Sequence, residues 1–560
     1  MYLKSGIPVM LLNTVVRCVT SVSGIYVHIW DSSIYWTETP DHVASDVCCI
    51  RDSRAATIVY ILNQPPADYE EGSTLKTHLK VTERACIRYG VEAASDRTMG
   101  HCYREGFFTD SDGSSCMIHN RSTPNVSVAH EVALDCIEAA VDAAAPEAAT
   151  KSAIGREDQT LTVGGTTYDL DEYGEVVIVG GGKAAGGVTR ALESILGDTL
   201  SGGHVVVKQT IDTETVRSSV GDHPLPSDRN VVATADILET VDEADAETLI
   251  LFVLTGGASA LLSAPAGDLT LEDLQTTTDR LLSGGVPIAE INAVRKHLSD
   301  LKGGQIARRA APATVAGLLI SDVVGNDLST IGSGPSVPDE TTYEDARDVF
   351  ERYDLTPPPA VCNYLESGRD GRVSETPFPD DTDFDRVTNH LIGDNATALD
   401  AAAAVAREAG YEPLVLTSRL RGEAREVAKP LVTIAEEATA TGTPVEPPAV
   451  LLAGGETTVT VTGDGGQGGP NQEFVLSGAL AHDGDAVIAA VDTDGEDGSS
   501  DVAGAIADGA AISDRERARE ALLANDVGSY LSEIEATIET GPTGTNVNDV
   551  IALAIPGPSE

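Results

Sequence analysis

The feature that constrains this chain most is an apolar run that ends in glycines and continues as an amphipathic segment. Residues 175–194 read EVVIVGGGKAAGGVTRALES, and residues 244–262 repeat the order as ADAETLILFVLTGGASALL. A nearly continuous apolar run of this length is typical of a strand that is buried on both faces of a sheet. Two such strands, each passing through glycines into a helix, predict a parallel sheet covered by helices.

Strand and helix patterns alternate along the rest of the chain, with two interruptions. Residues 356–387 are rich in Pro and Asp, and ATGTPVEPP at 440–448 precedes a glycine-dense region. Further strands are predicted on either side of these two interruptions, at 204–210, 314–327, 411–418, 449–461 and 486–498. We therefore predict an α/β fold of two lobes with mainly parallel sheets. In such sheets, ligands bind at the carboxyl ends of the strands.

The predicted surface is strongly acidic. The chain carries 88 Asp and Glu against 37 Lys and Arg, a net charge of −51. This charge repels nucleic acid and anionic lipid, so neither is expected as a partner. A hydrophobic content of 41% with clear periodicity argues against disorder. We expect a salt-adapted, halophilic-type globular protein located in the cytoplasm, and the oligomeric state, including a homodimer, stays open.

Residues 1–116 differ in composition from the remainder. They hold 10 basic and 14 acidic residues, against 27 and 74 in residues 117–560. Six of the eight cysteines lie there: Cys18, Cys48, Cys49, Cys86, Cys102 and Cys116. The apolar run at 7–23 is broken by polar residues and resembles neither a signal peptide nor a span. We interpret 1–116 as an atypical extension, with translation expected to begin at Met117 in preference to a separate cysteine-rich module.

The first glycine turn, GGGKAAGG at residues 180–187, is a candidate anion site. Glycines let a backbone approach a ligand, and the following helix N-terminus offers unpaired N–H groups to negative charge. We therefore expect Gly181 and Gly182 to approach a phosphate or carboxylate, with Lys183 adding a point charge. The alternative is a tight turn with a solvated lysine.

The spacing of residues in this turn is close to two nucleotide-binding motifs. It is not a Walker A loop, because Lys183 is followed by Ala184 and not by Ser or Thr. Gly180, Gly182 and Ala185 satisfy a loose dinucleotide pattern. The next strand, however, ends in lysine and glutamine and supplies no acidic residue for a ribose hydroxyl.

A second turn and a basic segment strengthen the anion prediction. LTGGASALL at 254–262 places Gly256, Gly257 and Ser259 at a strand end and helix start. INAVRKHLSDLKGG at 291–304 gathers three cations in a chain that has few, namely Arg295, Lys296 and Lys302. A spacing of seven predicts that the first and last of these share one helical face. The alternative is a helix with ordinary positive charge near its C-terminus.

Polar residues at other strand ends are further candidates. Asp322 and Asp327 follow the strand in LLISDVVGND, where a carboxylate could take a proton or hold magnesium. For Asp497 a solvated acidic loop is an equal alternative. Four residues of the glycine-dense region are candidates for holding a nucleotide: Glu456, Asn471, Glu473 and Asp494. His223, which is followed by Pro224, is interpreted as structural.

These elements together resemble the glycerate 2-kinase family that ends in a MOFRL domain. The resemblance covers about residues 128–555 and lies in an ordered set of stretches: VGGGKAAGG, HPLP, LTGGASALL, INAVRKHLSDLKGG, ISDVVGNDLSTIGSGPSVPD, IGDNATAL, AGGETTVTV, GGPNQE, DTDGEDG and TGPTGTNVNDV. It implies a Rossmann-like kinase domain at 117–365, a connecting α/β segment at 366–447 and a MOFRL domain at 448–560. It places the active site in the cleft between them.

The resemblance also implies phosphorylation of D-glycerate to 2-phosphoglycerate with ATP and Mg2+. Lys183 would hold the transferring phosphate or the substrate, Arg295 and Lys302 would grip phosphate or carboxylate, and Asp322 would be the base. Pro470 stands where the family commonly has Arg, so Arg295 or Lys302 would have to replace that guanidinium. The alternatives are an NAD(P)H-dependent hydroxypyruvate reductase and a non-catalytic sugar-acid binding protein on the same fold.

Overall fold

The computed structural model describes residues 117–121, 127–463 and 465–557, and the backbone of four earlier strands. The chain divides into two units, Met1–Gly106 and Phe107–Glu560. The four strands of the first unit pair antiparallel in sequence order, two by two: β1 (Tyr26–Trp30), β2 (Ser33–Thr37), β3 (Val47–Asp52) and β4 (Ala55–Tyr60). The predictions for residues 1–116, including the start at Met117 and the cysteines, otherwise lie outside the described residues.

The first lobe of the second unit contains an antiparallel sheet of three strands and a parallel sheet of six. The small sheet contains β5 (Ile154–Glu157), β6 (Thr160–Val163) and β7 (Thr166–Asp169). The large sheet contains β8 (Glu175–Gly181), β9 (Gly202–Val207), β10 (Arg217–Val220), β11 (Thr248–Leu254), β12 (Thr314–Ile320) and β13 (Val387–Gly393). Its order is β10-β9-β8-β11-β12-β13 and every pairing is parallel. This is the doubly wound nucleotide-binding order.

The second lobe has a mixed sheet in the order β14-β15-β19-β16-β17-β18. Its strands are β14 (Glu412–Glu423), β15 (Ala449–Thr458), β16 (Val487–Asp492), β17 (Gly504–Ala507), β18 (Thr537–Ile538) and β19 (Asp549–Ile555). Only the pair β14–β15 of this sheet is parallel. The α/β class with two lobes is confirmed. The expectation of parallel strands holds for the first sheet, whereas in the second the last strand returns between β15 and β16.

Helices cover both sheets. In the first lobe they are α1 (Val128–Ala144), α2 (Pro146–Ala153), α3 (Ala185–Leu196), α4 (Asp228–Asp242), α5 (Ala258–Leu261), α6 (Leu271–Ser283), α7 (Ile288–His297), α8 (Gln305–Ala310), α9 (Tyr343–Arg352) and α10 (Pro359–Arg369). The later ones are α11 (Asn395–Glu408), α12 (Ala424–Thr441), α13 (Pro470–Ala481), α14 (Arg515–Ala524) and α15 (Val527–Glu533). Within the described residues, no helix is long and apolar enough to cross a membrane.

Helix starts lie where the sequence supplies caps. Thr270 and Asp273 form a reciprocal capping box at the start of α6, and Thr342 and Asp345 do the same at α9. These side chains satisfy N–H groups that a helix start leaves without partners. The acidic composition therefore contributes locally to helix formation as well as to the surface charge.

The core runs through both lobes. One cluster joins one face of the first sheet to the second sheet through α1 and α11, with Ile178, Leu251, Leu399, Leu452 and Val550 buried in it. The connecting segment 366–447 takes part in this arrangement, since it supplies β13 to the first sheet and β14 to the second. Because it supplies a strand to each sheet, this segment is part of the fold.

Candidate functional site

The carboxyl ends of β8 and β11 define the site. These two strands are neighbours, and the chain leaves β8 toward β9 on one side and β11 toward β12 on the other. Such a reversal opens a crevice at the strand ends, where ligands bind in sheets of this kind. Both predicted glycine turns lie there, directly after β8 and after β11.

The two glycine turns are joined by hydrogen bonds. The Lys183 N–H donates to the Gly256 carbonyl over 2.8 Å, and the Ala184 N–H donates to Thr255 Oγ1 over 3.1 Å. A Cβ on Gly182, whose φ is +141°, would lie 2.1 Å from that same hydroxyl oxygen. The Gly182 N–H donates to the carbonyl of Val206. The prediction of a backbone anion cradle is therefore wrong for these three N–H groups, because close packing of the turns has already used them.

What the first turn presents instead is the side chain of Lys183. This side chain is exposed, and within the described residues its ammonium forms no hydrogen bond or ion pair. Asp322, after β12, lies across the second turn, with Oδ2 2.3 Å from where a Cβ on Gly256 would stand. Burial raises the pKa of Asp322, and the nearby charge of Lys183 opposes that rise. A cation and a desolvated carboxyl thus share one end of the crevice.

A pocket of about 260 Å³ opens beside this pair. Its wall includes Gly257, Ser259, Arg295 and Lys302 together with His223. None of the described residues that line it is acidic, in a chain that carries 88 Asp and Glu. Apolar side chains complete the wall: Pro224, Leu225, Pro226, Ala260, Leu274, Val294 and Leu298. The pocket therefore suits a small anion.

The two cations of the pocket lack acidic partners. Burial and the neighbouring guanidinium of Arg295 lower the pKa of Lys302 to about 7, and its Nζ donates to the Leu262 carbonyl over 2.6 Å. Burial also lowers the pKa of Arg295, and no described residue forms a hydrogen bond or ion pair with it. Because a buried charge is costly unless paired, an anionic ligand would stabilise both groups.

Arg295 and Lys302 both line the pocket, but the backbone between them differs from the predicted helix. Helix α7 ends at His297, so the two residues do not lie on one helical face. Ser299 Oγ accepts the N–H groups of Leu301 and Lys302 and turns the chain back toward the pocket. A side chain that binds backbone N–H groups in this way competes with helix continuation.

Lys296, the third predicted cation, has a different place. It is buried, and its Nζ lies 3.1 Å from Oδ1 of Asp339, whose side chain is completely buried. Lys296 does not line the pocket. The predicted contact with substrate is not supported for this residue, and the geometry assigns it to an internal ion pair.

His223 is a pocket residue that sequence reasoning took for structural. Its ring lies 3.0 Å from where a Cβ on Gly257 would stand, and it lines the cavity. Burial and the charges of Lys183 and Lys208 lower its pKa, so the imidazole is neutral at pH 7 and can both donate and accept. The HPLP stretch was the available signal, but it did not show which cavity the ring would face.

The second lobe meets this site at the loop that follows β12. Asn326 Nδ2 donates to Oδ2 of Asp394 over 2.7 Å, and Arg421 Nη2 donates to the Val324 carbonyl over 2.7 Å. Burial and the carboxyl of Asp322 raise the pKa of Glu456, while Arg421 lowers it. The structure therefore brings Glu456, predicted from the glycine-dense region, toward the Lys183–Asp322 end of the crevice.

Asn471 and Glu473 lie elsewhere, inside the second lobe. The Asn471 amide donates to Asp497 and Asp549, and Glu473 accepts from Asn525. Both predicted residues are 1% exposed, so the geometry does not support direct nucleotide contact. Asp497 is fully buried, which corrects the alternative of a solvated loop.

Asp494 is half-buried and is engaged within its own loop region. It accepts the Glu496 N–H over 3.0 Å and the side-chain amide of Asn546 over 3.2 Å. These bonds stabilise the loop after β16. They do not by themselves indicate a nucleotide.

The carboxylates were also compared with the needs of a metal ion. In the described part of the chain, no group of three His, Cys, Asp or Glu could hold one alone. Asp327 uses its oxygens locally, accepting from the Ser329 N–H and the Thr330 hydroxyl. Magnesium needs only one or two carboxylates when substrate phosphates supply other ligands. Asp322 and Glu456 fit that requirement, whereas Asp327 does not.

The fold and site thus define a two-lobed α/β protein with a pocket that is lined by cations and, among the described residues, by no acidic one, at the switch point of a parallel sheet. Two families match the chain: a domain of unknown function (DUF4147) over residues 132–366 and the MOFRL family over residues 449–549.

Three named proteins are similar to this chain over more than two thirds of its length. "Glycerate 2-kinase" of Pyrococcus horikoshii is 38% identical, covering 76% of this chain and 97% of its own. "Putative hydroxypyruvate reductase" of Agrobacterium vitis is 40% identical, covering 68% and 100%. The crystal structure of "Glycerate kinase" from Thermotoga maritima has a TM-score of 0.67 at 35% identity, covering 76% and 99%. The chain belongs to the glycerate 2-kinase family, a family of phosphotransferases.

Proposed function

We propose that this protein transfers a phosphoryl group from ATP to the 2-hydroxyl of D-glycerate. The observation that carries the proposal is the acid-free pocket with Arg295 and Lys302, which opens beside Lys183 and Asp322. The substrate has one carboxylate and two hydroxyls, and the pocket offers two cations and several hydroxyl or imidazole groups. A volume of about 260 Å³ suits a molecule of this size.

The substrate carboxylate would bind Arg295 and Lys302. A guanidinium recognises a carboxylate through two parallel hydrogen bonds. Binding would also restore the charge of Lys302, whose pKa of about 7 leaves it only partly protonated at neutral pH. Ser259 and His223 line the same cavity and could accept or donate to the hydroxyl that does not react.

Asp322 and Lys183 would serve the transfer itself. Asp322 accepts the proton of the attacking hydroxyl, and its raised pKa brings it closer to the range in which a general base works best. The ammonium of Lys183 has no hydrogen-bond or ion-pair partner within the part of the chain that the structure describes, and it can stabilise negative charge on the transferring group. Phosphoryl transfer needs mainly positioning and such charge stabilisation.

Asp322 and Glu456 are the carboxylates that would hold a magnesium ion together with the phosphates of ATP, and the ion would neutralise charge on those phosphates. Asn471 and Glu473 are left out of the contact set because both are buried. Their hydrogen bonds instead hold the second-lobe loops in place.

The test combines the full chain with ATP, Mg2+ and D-glycerate in molar KCl, which screens repulsion within so acidic a protein. Phosphorus NMR distinguishes 2-phosphoglycerate from 3-phosphoglycerate. We expect 2-phosphoglycerate from the wild type and about 10³-fold slower formation by Lys183→Ala. Only 3-phosphoglycerate would refute the regiochemistry, and no phosphorylated product from folded protein would refute the proposal.

A hydroxypyruvate reductase is the second candidate, since a relative at 40% identity carries that name and the strand order is that of dinucleotide-binding sheets. Against it, β9 ends at Val207 and is followed by Lys208, which cannot accept a ribose hydroxyl. Oxidation of NADH or NADPH on addition of hydroxypyruvate would favour this candidate.

A further inference from the structure

Two arginines of the second lobe take no part in the scheme above. Arg419 and Arg421 lie near the end of β14, a strand of 12 residues whose register against β15 shifts twice, between Val415 and Thr417 and again before Leu420. Irregularities of this kind bend a strand and redirect its side chains. After the second shift, Arg421 stands opposite Glu456.

Both guanidinium groups reach the loop that carries Asp322. Arg421 Nη2 donates to the Val324 carbonyl, as described above. Gly325 has a φ of +94°, and a Cβ built on it would find only two neighbours within 4 Å, apart from adjacent residues: Arg421 Nη2 at 3.8 Å and Arg419 Nη1 at 3.9 Å. The loop therefore leaves an open space at Gly325 that is bordered by two cationic nitrogens.

These cations remain available to a ligand. Both side chains are exposed, and among the described residues neither forms an ion pair with a carboxylate. Arg425, four residues further along, shows the contrasting case, since it pairs with Glu423 and with the buried Glu473. Two guanidinium groups that are not paired with a carboxylate, on one side of a small space, match the oxygens of a phosphate better than a single carboxylate.

We propose that Arg419 and Arg421 contact the triphosphate of the nucleotide, from the second-lobe side of the crevice. The inference rests on the proposed function for the identity of the nucleotide. It gives the two anions separate positions, with the glycerate carboxylate on Arg295 and Lys302 and the phosphates on the arginines of β14. The residues predicted to replace the guanidinium absent at Pro470 line the first-lobe pocket, whereas Arg419 and Arg421 lie on the same lobe as Pro470.

The experiment measures ATP binding by calorimetry and the two KM values by assay, all in the same molar KCl. The variants are Arg419→Ala, Arg421→Ala, the double variant and Arg421→Lys, with Arg519→Ala as control because Arg519 is an exposed arginine of α14. We expect a rise of about tenfold in the Kd and KM for ATP for each single alanine variant, about 1.4 kcal/mol, and no change in the KM for D-glycerate. Arg421→Lys should keep part of the affinity for ATP, since an ammonium keeps the positive charge but lacks the paired N–H groups of a guanidinium.

The possible outcomes separate the two proposals. Loss of ATP affinity in the double variant supports the inference even if the wild type does not phosphorylate glycerate. ATP affinity within twofold of the Arg519→Ala control overturns the inference and leaves the proposed function standing. A wild type that does not bind ATP overturns both. A purely structural role for Arg421 would lower the melting temperature and kcat while leaving the ATP KM unchanged, and that result also counts against the inference.

Discussion

The cations of the first-lobe pocket and the carboxylates inside the second lobe are buried charges of opposite sign. They differ in the number of hydrogen bonds that the protein gives them. In the pocket, the Arg295 side chain has no hydrogen-bond or ion-pair partner among the described residues, and Lys302 Nζ donates to a carbonyl. In the second lobe, both oxygens of Asp497 accept from Asn471 and Gln472, through their backbone N–H groups and their side-chain amides. Four bonds satisfy one carboxylate, and none is available to a ligand.

The difference separates a charge that serves a ligand from one that serves the fold. Satisfied buried charges hold loops in place, and removing one leaves its partners without bonds. Unsatisfied buried charges reduce the stability of the free protein and are retained where a ligand completes them. Strained or destabilised groups of this second kind are typical of functional sites.

The largest effect should come from Lys183→Ala. We expect turnover to fall about 10³-fold, because a charge aimed at the transferring group is lost. Stability should not change, since no described residue forms a hydrogen bond or ion pair with the Lys183 ammonium. Phosphorus NMR for turnover and a thermal melt would check both parts. Lys429→Ala, at an exposed lysine of α12, is the control and should retain activity.

Asp497→Ala should affect the fold instead. It leaves the buried donors of Asn471 and Gln472 unsatisfied, so we expect the free energy of unfolding to fall by about 3 kcal/mol or more. Denaturant unfolding measures this, with the exposed Asp501→Ala as control, for which the change should stay within about 0.5 kcal/mol. A loss no larger than that of the control would end the contrast between the two regions.

Lys302→Met tests whether a buried cation of the pocket contributes to substrate binding or to stability. The variant keeps the volume of the side chain and removes a buried cation that lies beside Arg295, so stability should fall by no more than about 1 kcal/mol, the value of one hydrogen bond to Leu262. The KM for D-glycerate should rise about 100-fold because the carboxylate loses a partner. Destabilisation as severe as that of Asp497→Ala would show that Lys302 serves the fold.

The last comparison varies pH and concerns the buried carboxyls of the second lobe. Burial and neighbouring carboxyls raise the pKa of Asp492 to about 8, and burial raises that of Asp549 to about 6. Between the ordinary value of 3.8 and these values only the folded state holds the proton, so stability falls as pH rises through this window, by about 1.4 kcal/mol per pH unit for one group.

A thermal melt at constant KCl should therefore show a lower melting temperature at pH 8 than at pH 6. Asp492→Asn stays neutral and should reduce that difference. An equal pH dependence in both proteins would contradict the assignment to Asp492.

Much of the first lobe could be predicted from the sequence, because its strands are apolar on both faces and its turns contain glycine. The strand before each glycine turn is present as predicted, as β8 and β11. The availability of the Gly182, Lys183 and Ala184 N–H groups could not be predicted, since their acceptors come from other strands and turns. The roles of His223 and Arg421 likewise depend on contacts between distant segments, and composition only showed that cations were scarce.

The core that α1 and α11 share with both sheets has a consequence for how the molecule folds and moves. A hinge between the lobes would have to separate Ile178 and Leu452 from a common apolar interior, so wide opening and closing would cost as much as partial unfolding. We therefore expect substrates to enter past side chains and short loops at the strand ends. The same continuity makes the two halves a single cooperative unit: neither half, produced alone, would have a partner for the apolar face it exposed.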